Sequence, residues 1–310
     1  MADMIVHSKP VARRGLSAKH QEWLAGYLFI LPDALGLLVF LGMPMVLSLV
    51  LGFFEVNGFG AYRFVGFGNY VRMYRDPLFW TALRATLLYA VVLVPSLYVC
   101  GLGLALLVQT TNRFNSVMRA MFFAPQMVSL VVVAVVWQFM VIDKIGLISR
   151  LMSMLGAGAV SFLGDPHFAS LTIAFVSLWF LMGFYMLIFL GGLQDIPAEY
   201  YEAAKIDGAG PVARFWFITM PLLKPTSFFV IMVSMVAAVA GAQAFDIIYI
   251  MTKGGPANST AVLIVYIYQQ AFAFGAFGYA AAMASVLVIV LMLVTGLLFL
   301  FTRGGRFNYD

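Results

Sequence analysis

The stretch Glu202-Ala203-Ala204-Lys205-Ile206-Asp207-Gly208-Ala209, running on through Phe215 and Ile218 to Met220-Pro221, decides how the rest of the chain is read. It is a polar, helix-breaking island in a sequence of 310 residues that is 63% hydrophobic and only 10% charged. Soluble domains carry roughly 45–50% apolar and about 25% charged residues. So large an apolar excess does not fit inside one soluble core, and the chain reads as a multi-spanning membrane protein. A charged segment with broken backbone cannot face lipid, where every peptide group needs an internal partner. The 202–221 segment therefore belongs in water or against another protein.

Working outward, a span needs about 20 mostly apolar residues, and six runs qualify: 24–54, 83–108, 120–141, 171–193, 227–250 and 279–301. The expected fold class is an all-α integral membrane protein of six transmembrane helices, with the polar island between the fourth and fifth. The domain reading is an N-terminal tail (1–23), a membrane region (24–302) containing the loop 195–225, and a C-terminal tail (303–310). Pro95 suggests a kink in the second span. The loop 57–79 is rich in Gly and aromatics, and 145–167 opens as a short amphipathic helix to Leu155. With both termini inside, inner segments hold eleven basic residues against seven outside. That bias places the termini and Glu202 in the cytoplasm.

Several function classes drop out. The net charge of +5 forms no clustered basic face, so no nucleic-acid partner is expected. Cys100 is the single cysteine, which rules out an internal disulfide and a thiolate metal cluster. There is no Gly-x4-Gly-Lys-Ser/Thr phosphate loop, and no His-Glu-x-x-His, Cys-x-x-Cys or Gly-x-Ser-x-Gly element. His7, His20 and His167 lie outside the spans with no second ligand nearby. No catalytic residue, metal or cofactor of its own is expected.

The loop itself has a readable grammar. Asp195-Ile196-Pro197 opens a helix, with Asp195 as cap and Pro197 in the first turn. Glu202, Ala203 and Ala204 follow on a smooth ridge, and Asp207-Gly208 breaks the helix because Gly accepts left-handed backbone angles. Pro211 starts a second short helix, which Phe215, Phe217, Ile218 and Pro221 would pin to the membrane region. An ordinary interfacial hairpin, with Glu202 paired to Lys205, is the competing reading.

The spacing Glu-Ala-Ala, three residues, Gly, nine residues, Ile, one residue, an apolar residue and Pro closely resembles the cytoplasmic EAA loop of ABC importer permeases; Met220 stands where that family usually has Leu. Gly192-Leu193-Gln194-Asp195-Ile196-Pro197 and the run Phe245 to Pro256, with Gly254-Gly255-Pro256 at its end, resemble carbohydrate permeases of the maltose and glycerol-phosphate first-permease type. The resemblance covers roughly Tyr70 to the end, without the large periplasmic insertion of the maltose subunit. It implies a prokaryotic inner-membrane subunit of a heterodimeric permease. Its implied partners are a second homologous permease, two ATPase subunits that bind ATP and Mg, and an extracytoplasmic solute-binding protein or lipoprotein. It implies ATPase coupling through Glu202, Ala203, Ala204, Asp207 and Gly208, and cargo of sugar, oligosaccharide or glycerol-phosphate type.

Sugar recognition needs aromatic faces and hydrogen-bonding edges. Gln243, Asp246, Tyr249, Trp137 and Trp179 are the candidates for the cargo path, against the alternative of bundle packing and interfacial belts. For Asp246 the favoured reading is structural, a carboxylate bound to loop amides around Gly254 and Gly255. Gly254, Gly255 and Pro256 would form a tight extracytoplasmic turn that offers backbone groups to the binding protein. An ion-coupled secondary transporter is the rival function. It requires intramembrane carboxylates or broken helices at matching positions of two halves, and the sequence shows no repeat and few buried charges.

Overall fold

The computed structural model describes residues 18–56, 60, 62–143, 145–154 and 161–301. The expected tail 303–310 lies outside the described residues, as do residues 1–17 of the expected N-terminal tail. The chain separates into two compact units, one ending at Val50 and one beginning at Leu51.

The first unit is a single apolar helix with one irregularity. Helix α1 (Ala18–Leu37) passes through a π turn (Leu38–Gly42) into α2 (Met43–Leu51). Pro44 has no N–H to give to the carbonyl four residues back. The ladder slips by one residue just before it, and the Met43 amide reaches the Leu38 carbonyl.

The second unit opens with a small hairpin, β1 (Phe54–Val56) against β2 (Tyr62–Phe64), antiparallel with Phe54 opposite Phe64. Helix α3 (Gly68–Arg75) follows, and Asp76 caps α4 (Pro77–Val108) by accepting from the Leu78 amide at 2.9 Å. The helix runs unbroken through Pro95. After α5 (Arg113–Phe123), a 3-10 turn (Ala124–Met127), α6 (Leu130–Val141) and α7 (Leu147–Met154), the long helix α8 (Pro166–Gln194) packs along α4. Their seam buries Leu93, Leu97, Ala105, Val176, Tyr185 and Phe189. The Tyr89 hydroxyl donates to Ser177 Oγ at 2.7 Å across the same seam, which satisfies a phenol that would otherwise be costly to bury.

Beyond α8 come α9 (Ala198–Ile206), α10 (Pro211–Arg214), a π turn (Phe215–Thr219), α11 (Met220–Leu222), α12 (Lys224–Ala240) and α13 (Ala242–Met251). The chain closes with α14 (Leu263–Tyr268), a π turn (Gln269–Ala273) and α15 (Phe277–Phe301). Asp76 binds these last elements to the start of α4: the hydroxyls of Tyr266 and Tyr279 each donate to its Oδ2 at 2.6 Å. The Arg72 guanidinium sits 4.1 Å over the Tyr279 ring.

Among the described residues, four helices are long and apolar enough to cross a membrane, and up to six spans result if each of two bent helix pairs counts as one. The all-α membrane architecture is as expected, but two expected spans are not single helices. The run 120–141 turns by 96° between Arg113–Met127 and Leu130–Val141. Pro125 lies in that turn, and the Gln126 side chain donates to the Phe180 carbonyl at 2.8 Å. Gly183 lets α8 approach so closely that a Cβ there would overlap the Phe122 carbonyl. The run 227–250 is cut at Gly241, whose extended backbone (φ −71°, ψ 145°) separates α12 from α13. Residues 211–222, ahead of α12, form the other bent pair with it, at 66°.

Candidate functional site

The 195–225 loop is two short helices joined by a left-handed turn. Asp195 does not cap the first of them; it ends α8, and its amide donates to the Gly191 carbonyl at 3.1 Å. Pro197 stands at the N-cap of α9, with no side-chain cap bond. The other end of α9 is as read. Gly208 has φ +78°, its amide donates to Lys205 O at 3.1 Å, and the Ala209 amide reaches back to Ala204 O at 2.8 Å. These are the two bonds that close a helix through a left-handed glycine. A Cβ at Gly208 would meet nothing within 4 Å, so backbone angle and not space is what asks for glycine there.

Glu202 and Ala203 are exposed, Ala204 is half-buried and Ile206 is 87% exposed. Glu202 makes no ion pair with Lys205 or any other described residue. The α9 helix is held to the rest of the loop on its other side, where the Tyr201 hydroxyl and Thr219 Oγ1 are 3.0 Å apart. Of the expected pins, Phe215 packs on the core, but Phe217 is 81% exposed and does not hold the loop down. Two residues after Phe215, it falls on the opposite face of the turn.

The five candidate path residues fall into two groups. Trp137 on α6 meets Trp179 on α8 edge-on, at 5.4 Å between ring centroids. Gln243, Asp246 and Tyr249 lie on α13, all half-buried, just after the break at Gly241. Tyr249 stacks on Phe245 (5.2 Å, 12°) and both meet Tyr268, which contacts Phe272 in turn. Among the described residues no ring contact joins the tryptophans to this ladder. Sequence reading missed Phe245, Tyr268 and Phe272; the period of four from Tyr268 to Phe272 and from Phe245 to Tyr249 was the available signal.

Asp246 is not the loop's structural carboxylate. The Gly254 amide donates to Thr252 Oγ1 at 3.3 Å, the Gly255 amide donates to Thr252 O at 2.9 Å, and Asp246 makes no hydrogen bond among the described residues. The turn is also closed in on itself. Thr260 Oγ1 donates to Gly255 O at 2.7 Å and the Thr260 amide to Gly254 O at 3.3 Å. Gly254 is buried, with φ +93°, while Lys253, Ala257 and Asn258 are exposed. The backbone groups that sequence reading offered outward are thus engaged within the loop.

Comparison with known proteins bears on the whole of this architecture. Residues 97–304 match the family described as binding-protein-dependent transport system inner membrane component. The chain is 35% identical to the lactose transport system permease protein LacF of Rhizobium radiobacter, over 93% of this chain and 97% of that one. It is 31% identical to the sn-glycerol-3-phosphate transport system permease protein UgpA of Pectobacterium atrosepticum, over 98% and 99%. In fold it is similar to a chain of a bacterial alginate ABC transporter solved with a pentasaccharide-bound periplasmic protein: TM-score 0.79 at 21% identity, over 92% of this chain and 95% of that one. The ion-coupled secondary transporter reading finds no support in any of these matches. The chain belongs to the family of binding-protein-dependent transport system inner membrane components and is an ABC importer permease, not an ATPase.

Proposed function

We propose that this permease forms half of the translocation path for a sugar, oligosaccharide or glycerol-phosphate-type solute, and that α9 transmits the stroke of a partner ATPase. The exposed ridge Glu202–Ile206, closed by the left-handed Gly208 turn, is the observation that carries this reading. Small side chains there permit close approach, and the unpaired Glu202 is available to a partner cation. In the assembly two ATPase subunits bind ATP and Mg, a second homologous permease completes the path, and a solute-binding protein delivers cargo. Counting each bent pair once gives six spans, with α12 as the membrane part of the second pair and both termini and the 195–225 loop in the cytoplasm. ATPase closure then drives the two coupling helices together and rocks the spans as rigid bodies.

The path reading centres on α13. A helix interrupted at membrane depth is tolerated where it is buried in protein or lines a water-filled cavity, and the interruption at Gly241 stands just before Gln243. The half-buried Gln243 and Asp246 supply polar edges, and the Phe245–Tyr249–Tyr268 ladder supplies aromatic faces. Trp137 and Trp179 form a second, more packed group. On the opposite membrane face, Lys253, Ala257 and Asn258 present the contact with the binding protein over the Gly254-Gly255-Pro256 scaffold.

The test is uptake by the reconstituted transporter with a panel of labelled sugars and glycerophosphodiesters. One or a few of these should be taken up only with ATP and binding protein; uptake driven by an ion gradient without ATP would overturn the proposal. Cysteines placed at Lys253, Ala257 and Asn258 in a Cys100→Ala background should react with impermeant maleimide from outside intact cells. Labelling only after the membrane is opened would reverse the topology.

A further inference from the structure

A pocket of about 400 Å³ lies between α9 and the end of α4. It is lined by Gln109, Tyr201, Lys205, Arg214, Phe215 and Thr219, among others, and no carboxylate is among the residues that line it. Two cations therefore share one cavity without a counter-charge. Neither Lys205 nor Arg214 makes a side-chain hydrogen bond or ion pair among the described residues, and Arg214 Nε is buried with no acceptor. A cavity lined by two cations and no carboxylate carries a positive potential, which suits an occupant that brings oxygen acceptors.

The lining favours one chemistry. A guanidinium fork, an ammonium and a carboxamide offer donors from several directions, while the Tyr201 and Thr219 hydroxyls are engaged with each other; this set suits a tetrahedral oxyanion better than a planar one. We propose that this pocket binds a phosphate group, presented either by an anionic phospholipid headgroup at the membrane face or by free inorganic phosphate. The site goes beyond the importer reading and rests on it only for the side of the membrane on which it lies. A carboxylate from an ATPase partner is the competing occupant. Tyr201 and Lys205, one turn apart, share the face of α9 that lines the pocket, whereas Glu202 and Ile206 lie about 100° further round. The pocket thus sits behind the ridge assigned to the ATPase. A phosphate held there bridges α9 to Arg214 and fixes the ridge's distance from the end of α4.

The experiment uses the full chain assembled with its partner permease and ATPase subunits in nanodiscs. One arm compares phosphatidylcholine discs with and without phosphatidylglycerol and counts retained lipid by native mass spectrometry. The other measures labelled inorganic phosphate by equilibrium dialysis in phosphatidylcholine alone. At least one probe should bind the wild type about tenfold more tightly than Arg214→Gln or Lys205→Gln. Arg214→Lys, which keeps the charge, should fall between, and Arg113→Gln, a cation outside the pocket, should match the wild type. The arm that responds identifies the source of the phosphate. Three results would overturn the proposal: no binding of either probe, equal binding by folded variants, or binding to the lone chain that vanishes when the ATPase is added. Because retention is scored without cargo, it does not depend on the outcome of the uptake assay.

Discussion

Of the glycines that hold left-handed backbone, Gly208 and Gly254 stand in loops of similar importance, and their surroundings are opposite. Gly208 is exposed at φ +78°, with open space where a side chain would go. Gly254 is buried at φ +93°, and a Cβ there would stand 3.0 Å from that of Ala261. Around Gly208 the side chains of Glu202 and Ile206 are exposed, and Glu202 makes no ion pair among the described residues. Around Gly254 the hydroxyls of Thr252 and Thr260, 2.7 Å apart, take up the loop's own amides and carbonyls. The first turn is an open surface, and the second is a closed knot that positions the residues at its rim. The contrast teaches that the same backbone requirement can leave an open, accessible face in one place and build a closed, rigid one in another.

The largest effect should come from Glu202→Lys. Reversing a charge that a partner groove desolvates costs about 2–5 kcal/mol of association. The variant should reach the membrane in normal amount and melt like the wild type, yet lose co-purification with the ATPase or substrate-stimulated hydrolysis. Wild-type coupling in this variant would show that the ridge is not a docking face, and the comparison would collapse on that side.

Gly254→Val should come next, and it should act on stability. A side chain in left-handed backbone costs about 1–2 kcal/mol, and crowding Ala261 adds about 1–3 kcal/mol. Thermal unfolding in detergent should shift down clearly. Gly208→Ala carries only the backbone cost of about 1 kcal/mol, because nothing crowds it. Its melting point should barely move while coupled hydrolysis falls. Equal melting losses in the two variants would erase the distinction between an open turn and a closed one.

How much of this was legible follows from what hydropathy and spacing measure. The spans containing Leu97, Phe189 and Ala282 emerge as unbroken helices because each is one apolar run. The left-handed Gly208 was readable because Asp-Gly after an alanine-rich helix is a local signal. The breaks at 124–129 and at Gly241 were not, since an apolar window averages over a change of ψ. Gly241 extends without any loss of hydrophobicity around it. Phe217 misled for a different reason: residues two apart do not share a helix face, and Phe215 takes the core side. The ladder of Phe245, Tyr249 and Tyr268 joins two helices, and of its members only Tyr249 was named in advance. Arg214 looked like one more basic residue of the loop; the pocket that isolates it is made by residues from α4 as well.

The clasp at Asp76 was the least readable feature, since its partners Tyr266 and Tyr279 lie 190 and 203 residues away. It also yields the smallest and most specific prediction. Burial pushes the Asp76 carboxyl up, but the hydroxyls of Tyr266 and Tyr279 and the amides of Leu78 and Phe79 outweigh it and hold the group below its ordinary value of 3.8. A carboxylate depressed on folding contributes stability that is present above its unfolded value and lost as the pH falls through the folded one. Asp76→Asn should therefore melt below the wild type at neutral pH, and the gap should close as the pH drops past about 4. The Gly254 knot has no titrating member, so the deficit of Gly254→Val should stay constant over the same range. An Asp76→Asn deficit equally flat with pH would mean that the two tyrosines bond the acid and its amide alike. The clasp would then be a neutral packing contact of the same kind as the knot, and not an ionised anchor for α14 and α15.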